Sequence, residues 1–192
     1  MTASTSDTSI DKNDTYPGTL KPVIESNAVA LKFLARYSEN REKLTALQIV
    51  NHASGESFDS TKFYSINFKE TEKHLNTIKE TGFVSPAFMQ DWEKHFLKAD
   101  KQFKVIPKND GPPENFEFDL ILYSQEVDDD LNNIGKTKVA SKTIRADTAL
   151  VILKLPSGQK LKFKMSMASK KWLTDRIEKP AGMSYTQQSY CQ

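Results

Sequence analysis

Hydrophobic positions recur at helical spacing through the first half of the chain and at alternate positions through its last third. From Val23 to Ser38, Ile24, Ala28, Leu31 and Ala35 fall on one stripe, broadened by Leu34, which predicts a first helix. Leu44, Leu47, Ile49 and Val50 form an apolar patch too short to separate helix from extended chain, and 51–60 has loop composition. Asn67 with Glu70 makes an N-x-x-E cap, followed by Phe68, Thr71, Leu75 and Ile78 at helical spacing up to Gly82. Ser85-Pro86 opens another helix, Ser as cap and Pro at its first position. Along it Phe88, Trp92, Phe96, Ala99 and Phe103 make an aromatic stripe wide enough to cover a sheet.

The period changes after the break at 108–115 (KNDGPPEN). Phe116, Phe118, Leu120 and Leu122 alternate with Glu117, Asp119, Ile121 and Tyr123, which predicts a strand. Thr137 to Arg145 reads as a second, and the nearly continuous apolar run Ala149 to Leu155 as a central one. Pro156-Ser157-Gly158-Gln159 is a hairpin turn, after which Leu161, Phe163, Met165 and Met167 alternate with Lys160, Lys162, Lys164 and Ser166; a last strand runs from Trp172 to Ile177. Helices first and hairpin-linked strands last imply an α+β fold, N-terminal helices packed on a curved, mainly antiparallel sheet of about four strands.

Composition changes this picture at the ends. The Thr/Ser/Asp-rich residues 1–21 read as a disordered leader, 22–180 as one domain and 181–192 as a flexible tail. A lone Cys191 excludes a disulfide framework and a cysteine-based metal site. No run approaches the roughly 20 apolar residues of a transmembrane helix. The leader also suits the segment after the anchoring cysteine of a bacterial lipoprotein whose signal is removed, so periplasmic and cytoplasmic readings both stay open. The net charge of +2 conceals an asymmetry: residues 109–135 carry eight acids and no base, whereas 136–180 carry twelve Lys/Arg against three acids.

Candidate chemistry is sparse. Gly135-Lys136-Thr137 resembles the end of a phosphate loop, but Asp130 occupies the position of the required glycine. Asp128, Asp130 and Asn132 are spaced like the opening of a calcium loop, with Asn133 where glycine belongs and Val139 where the closing glutamate belongs, so a solvated acidic turn is expected. His52, His74 and His95 lack ligand spacing; Asp91/His95 and Glu70/His74 read as surface i, i+4 pairs. Lys160, Lys162 and Lys164 read as a solvated sheet face without the interleaved aromatics of a single-strand nucleic-acid binder. The chain therefore implies no cofactor, no metal and no nucleic-acid partner. Trp92 and Trp172 are expected in the core.

Three segments carry a resemblance: SPAFMQDWEKHF (85–96), FEFDLILYSQE (116–126) and WLTDRI (172–177). They resemble the aromatic helix, the Asp-x-x-x-x-x-Gln-[Asp/Glu] strand and the closing Trp-x-x-Asp-x-Ile strand of the bacterial secreted and lipoprotein domain family of unknown function numbered 3828, similar in turn to the nuclear-transport-factor-2-like (cystatin-like) superfamily. That resemblance implies a cone of sheet wrapped on helices with a cavity at its wide end. Asp119, Gln125 and Glu126 carry over from the family's pattern, and Tyr123 lies among them. The function implied is a non-enzymatic binding protein of the bacterial envelope, in a narrower form an immunity or inhibitor protein blocking a basic partner, an effector or an envelope component. The alternative is a small-molecule enzyme or ligand carrier using the cone pocket, with Asp119 or Asp175 as base. The fold decides neither. On the predicted strand Asp119 and Gln125 share a face with Ile121 and Tyr123. Asp119 and Gln125 are expected to hold the preceding Gly-Pro-Pro loop.

Overall fold

A computed structural model describes residues 25–52, 62–111, 113–124 and 127–180. The expected leader and tail lie outside these residues, as do Gln125 and Glu126. Five α-helices occur among them: α1 (Ser26–Glu39), α2 (Arg41–Thr45), α3 (Phe68–Glu80), α4 (Pro86–Val105) and α5 (Val127–Asn132). Two short strands, β1 (Val50–Asn51) and β2 (Ser65–Ile66), pair with each other. The main sheet is β3 (Lys138–Arg145), β4 (Thr148–Lys154), β5 (Lys160–Ala168) and β6 (Lys171–Glu178), antiparallel throughout and in chain order. The α+β class read from the two periodicities is the observed one.

Local chemistry sets the helix starts where the sequence places them. The Asn67 side chain accepts from Glu70 N at 3.3 Å to open α3, and Ser85 Oγ accepts from Phe88 N at 3.3 Å to open α4. The α1 stripe is rotated from the expected one. Ser26, Val29, Ala30, Phe33, Leu34 and Tyr37 are buried, while Ala35 is exposed and Leu31 only half-buried. Two aromatic rings bury far more apolar area than the alanines of the alternative stripe and decide which face turns inward.

The inner face of the sheet (Val151, Leu153, Leu161, Phe163 and Met165) packs on α1 and the start of α4. Phe33 sits at the centre, its ring 6.1 Å from Phe163 and 6.3 Å from Phe88. A second cluster joins the far half of α4 (Phe96, Ala99, Phe103) to Val50, Tyr64, Ile66 and Leu75. The α4 aromatic stripe therefore bridges two cores instead of covering one sheet. Strand β4 is central, as expected of its apolar run, yet only one of its faces is fully buried: Leu150 and Ile152 stay half-exposed beside Lys162 and Lys164.

One predicted element is absent. Residues 116–123 form bends and turns, not a strand. Asp119 diverts the backbone, its Oδ1 accepting from Ile121 N at 2.9 Å and Leu122 N at 2.6 Å, a local side-chain bond that competes with extended pairing. Asn115 and Tyr123 adopt positive φ of 68° and 52°, outside the extended region of a regular strand. Neighbours Ile121 and Leu122 are both fully buried, an arrangement a pleated strand with one buried face cannot give.

Candidate functional site

The edge of the sheet at β6 is where three elements meet. Before α4, the chain docks on that edge through a parallel bridge of Val84 with Thr174, Ser85 N donating to Thr174 O at 2.9 Å and Thr174 N to Phe83 O at 2.8 Å. This docking lays Asp91, Trp92 and His95 of α4 beside Arg176 and Ile177. The 113–124 loop closes the third side, where Tyr123 Oη donates to Ile177 O at 3.0 Å. The result is a cleft of about 240 Å³ lined by Asp91, Trp92, His95, Glu117, Asp119, Tyr123 and Arg176, among others.

Most of its polar groups are already engaged. Arg176 pairs with Asp91 and reaches Glu178 at 3.6 Å. Glu178 also binds Lys162 at 2.6 Å and Lys164 at 2.7 Å; burial opposes its ionisation, but the two lysines outweigh it and hold its pKa at about 2. Burial pushes the Tyr123 phenol up to about 12, with Glu178 and Asp91 adding to the effect. His95 stands edge-on to Trp92, ring centres 5.1 Å apart, and touches Phe96 and Phe116. Its Nε2 is buried without a partner, and burial lowers its pKa, so the ring is neutral near pH 7.

Asp119 is the pivot of the loop. Besides the two amides, it accepts from Tyr37 Oη at 2.7 Å, and Tyr123 N donates to its carbonyl at 2.8 Å. Its carboxylate thus fixes the turn that follows it and ties that turn to α1. The expected role, holding the preceding Gly-Pro-Pro loop, is corrected: Tyr64 Oη donates to Gly111 O at 2.5 Å there instead. Being occupied on both oxygens, Asp119 is poorly placed to serve as a base. Asp175, the other candidate base, accepts from Ser166 Oγ at 2.9 Å on β6 and does not line the cleft.

Of the residues singled out in the sequence, Asp119 and Tyr123 line the same cleft. The shared face proposed for Asp119, Gln125, Ile121 and Tyr123 falls with the missing strand. No local sequence signal joins Asp91 and His95 to Glu117 and Arg176. The Asp91/His95 spacing was visible, but it read as a surface pair, whereas His95 is half-buried among aromatic rings. His74 departs further from that reading: it is 5 % exposed, its Nδ1 has no partner, and burial lowers its pKa to about 4. The acidic turn is likewise not wholly solvated. Asp130 is fully buried and accepts from Ser157 N at 2.8 Å and Ser157 Oγ at 3.0 Å, pinning α5 to the β4–β5 turn, while Asp128 pairs with Arg41.

A second, larger cavity of about 500 Å³ lies on the other side of the 117–120 segment, between that loop, α3 and the chain from Leu44 to Val50. Among the described residues no three His, Cys, Asp or Glu side chains converge as metal ligands, and no helix is long and apolar enough to cross a membrane. Comparison with protein families, curated proteins and solved structures returns no match for the chain. The family resemblance therefore rests on its three quoted segments, of which the middle one is a turn here.

Proposed function

We propose that this protein is a non-enzymatic binding protein that captures a basic side chain of a protein partner in the cleft between α4, β6 and the 113–124 loop. The observation that carries this is the cleft's size and lining. At about 240 Å³ it falls below the roughly 300–1,000 Å³ of small-molecule sites, yet it accommodates one inserted side chain. Asp91 is already paired with Arg176 and Asp119 is bonded on both oxygens, so Glu117 is the lining carboxylate left to meet a cationic anchor. Trp92, Tyr123 and Arg176 are also the residue types that dominate binding hot spots. Lys94 and Lys98 flank the neighbouring groove on the α4 side, so a partner with an acid beside its basic anchor fits best.

Placement in the bacterial envelope, and the narrower role of an immunity or inhibitor protein, rest on the resemblance of the three quoted segments. The test is affinity capture from an envelope extract with the wild-type protein, Glu117→Lys and Phe118→Ser. A partner retained by wild type and weakened at least tenfold by both variants, at unchanged melting temperature, supports the reading. A partner held equally by all three proteins overturns it.

A further inference from the structure

The cavity behind the 117–120 segment has a different character from the cleft. Its volume of about 500 Å³ lies inside the roughly 300–1,000 Å³ range of small-molecule sites. Its walls are apolar side chains: Leu44 of α2, Leu47 and Ile49 in the chain after it, and Phe116 and Leu120 from the loop. Two carboxylates, Glu117 and Asp119, lie on its lining and no Lys or Arg does. Glu117 is half-buried and forms no ion pair among the described residues. His74, 95 % removed from solvent on the opposite wall, keeps a ring nitrogen without a partner, a loss normally made good in folded proteins. Its imidazole is neutral there and adds no positive charge.

We infer that this cavity is a second binding site, for a small organic cation with an apolar body, its ammonium meeting Glu117 and its body lying against Leu44, Leu47 and Leu120. A half-buried carboxylate that forms no ion pair favours a cation, and the apolar walls favour one carried on a ring or short chain rather than a hydrated metal ion. An anion of the same shape meets two like charges, and a neutral analogue leaves Glu117 uncompensated. Because Glu117, Phe118, Asp119 and Leu120 line both cavities, an occupant of this one also braces the wall of the partner cleft.

Three probes of nearly equal shape decide it: 2-phenylethylamine, 2-phenylethanol and 3-phenylpropanoate, each titrated into the full chain by calorimetry and by NMR. The amine binds at least tenfold more tightly than either analogue. It perturbs the His74 imidazole and Leu47 methyl signals and leaves the Trp92 indole signal in place. Leu47→Trp, which fills the cavity, abolishes amine binding, and Glu117→Gln weakens it at least tenfold, both with melting temperatures near that of wild type. Equal binding of the three probes, no binding of the amine at millimolar concentration, or shifts confined to Trp92 and His95 would overturn the inference. The partner-capture experiment is read on a different molecule, so either result stands without the other.

Discussion

The two edges of the main sheet are built oppositely. At β6, the segment leading into α4 adds a backbone bridge, Trp172 and Ile177 are buried, and Arg176 and Glu178 join a network with Asp91, Lys162 and Lys164. At β3, every residue is exposed, including Val139 at 40 % and Ile144 at 48 %, and the main ion pair runs from Lys142 to Glu25 at 2.6 Å. Both edges belong to one antiparallel ladder, so hydrogen bonding within the sheet does not set them apart. Coverage does. Where α4 and the loop cover an edge, they bring side chains distant in sequence into a cleft; where no described element covers it, the strand is left to protect itself with charge. A binding site is thus expected at β6 and solubility devices at β3.

The contrast is sharpest in stability. Trp172→Ala, removing a ring 4 % exposed, is expected to cost roughly 3–5 kcal/mol, whereas Ile144→Ala on β3 is expected to cost less than about 1 kcal/mol. Denaturant melts of the two variants measure the difference. Similar losses for both would mean that β3 is buried in solution and that the edges are alike.

A smaller effect separates the edges by pH. Glu178 has a folded-state pKa of about 2 against an ordinary value of 4.5, so it is charged more readily in the folded than in the unfolded chain. Its contribution is present above pH 4.5 and is lost as pH falls toward 2. The Glu178→Gln variant should therefore be less stable than wild type at pH 6 and converge with it at pH 2, in thermal melts across that window. A constant gap would place its effect in packing, not in the lysine pairs.

How far the sequence leads to this site can be judged at particular residues. Capping at Asn67 and Ser85, the hairpin at Pro156 to Gln159 and the alternation around Phe163 are local signals, and each appears where its residues put it. The 116–123 segment fails because alternation and turn chemistry compete there. The apolar pattern reads as a strand, but Asp119 bonds two amides just beyond it, and a carboxylate's choice between solvent and its own backbone is not written in hydrophobic period. Asp119 and Tyr123 are brought together by that turn. Asp91, Glu117 and Arg176 meet only because the chain docks on β6 before α4, a contact between residues about ninety apart. The α1 stripe shows the same limit in milder form, since two stripes were available and only packing against Phe163 and Phe88 selects one.

The least perturbing change tests the bare edge itself. Strand β3 is eight residues long, and its outer backbone groups are unpaired in the sheet, the usual template for pairing with another chain. Two features oppose that. A register irregularity between Val139 and Ser141 breaks the regular spacing of the edge, and Lys138 and Arg145 place a positive charge at each end. In an antiparallel pairing of two β3 strands those ends lie opposite each other, so like charges face across the new ladder and oppose it. Replacing both by threonine removes the repulsion while keeping β propensity. Neither side chain is buried, so the melting temperature of Lys138→Thr/Arg145→Thr should stay within about 2 °C of wild type, as for exposed substitutions generally. Sedimentation velocity should nevertheless show the variant associating with rising concentration while the wild type does not. A variant that stays as monodisperse as the wild type at the same concentrations would show that the irregularity alone guards the edge and that its charges serve another purpose.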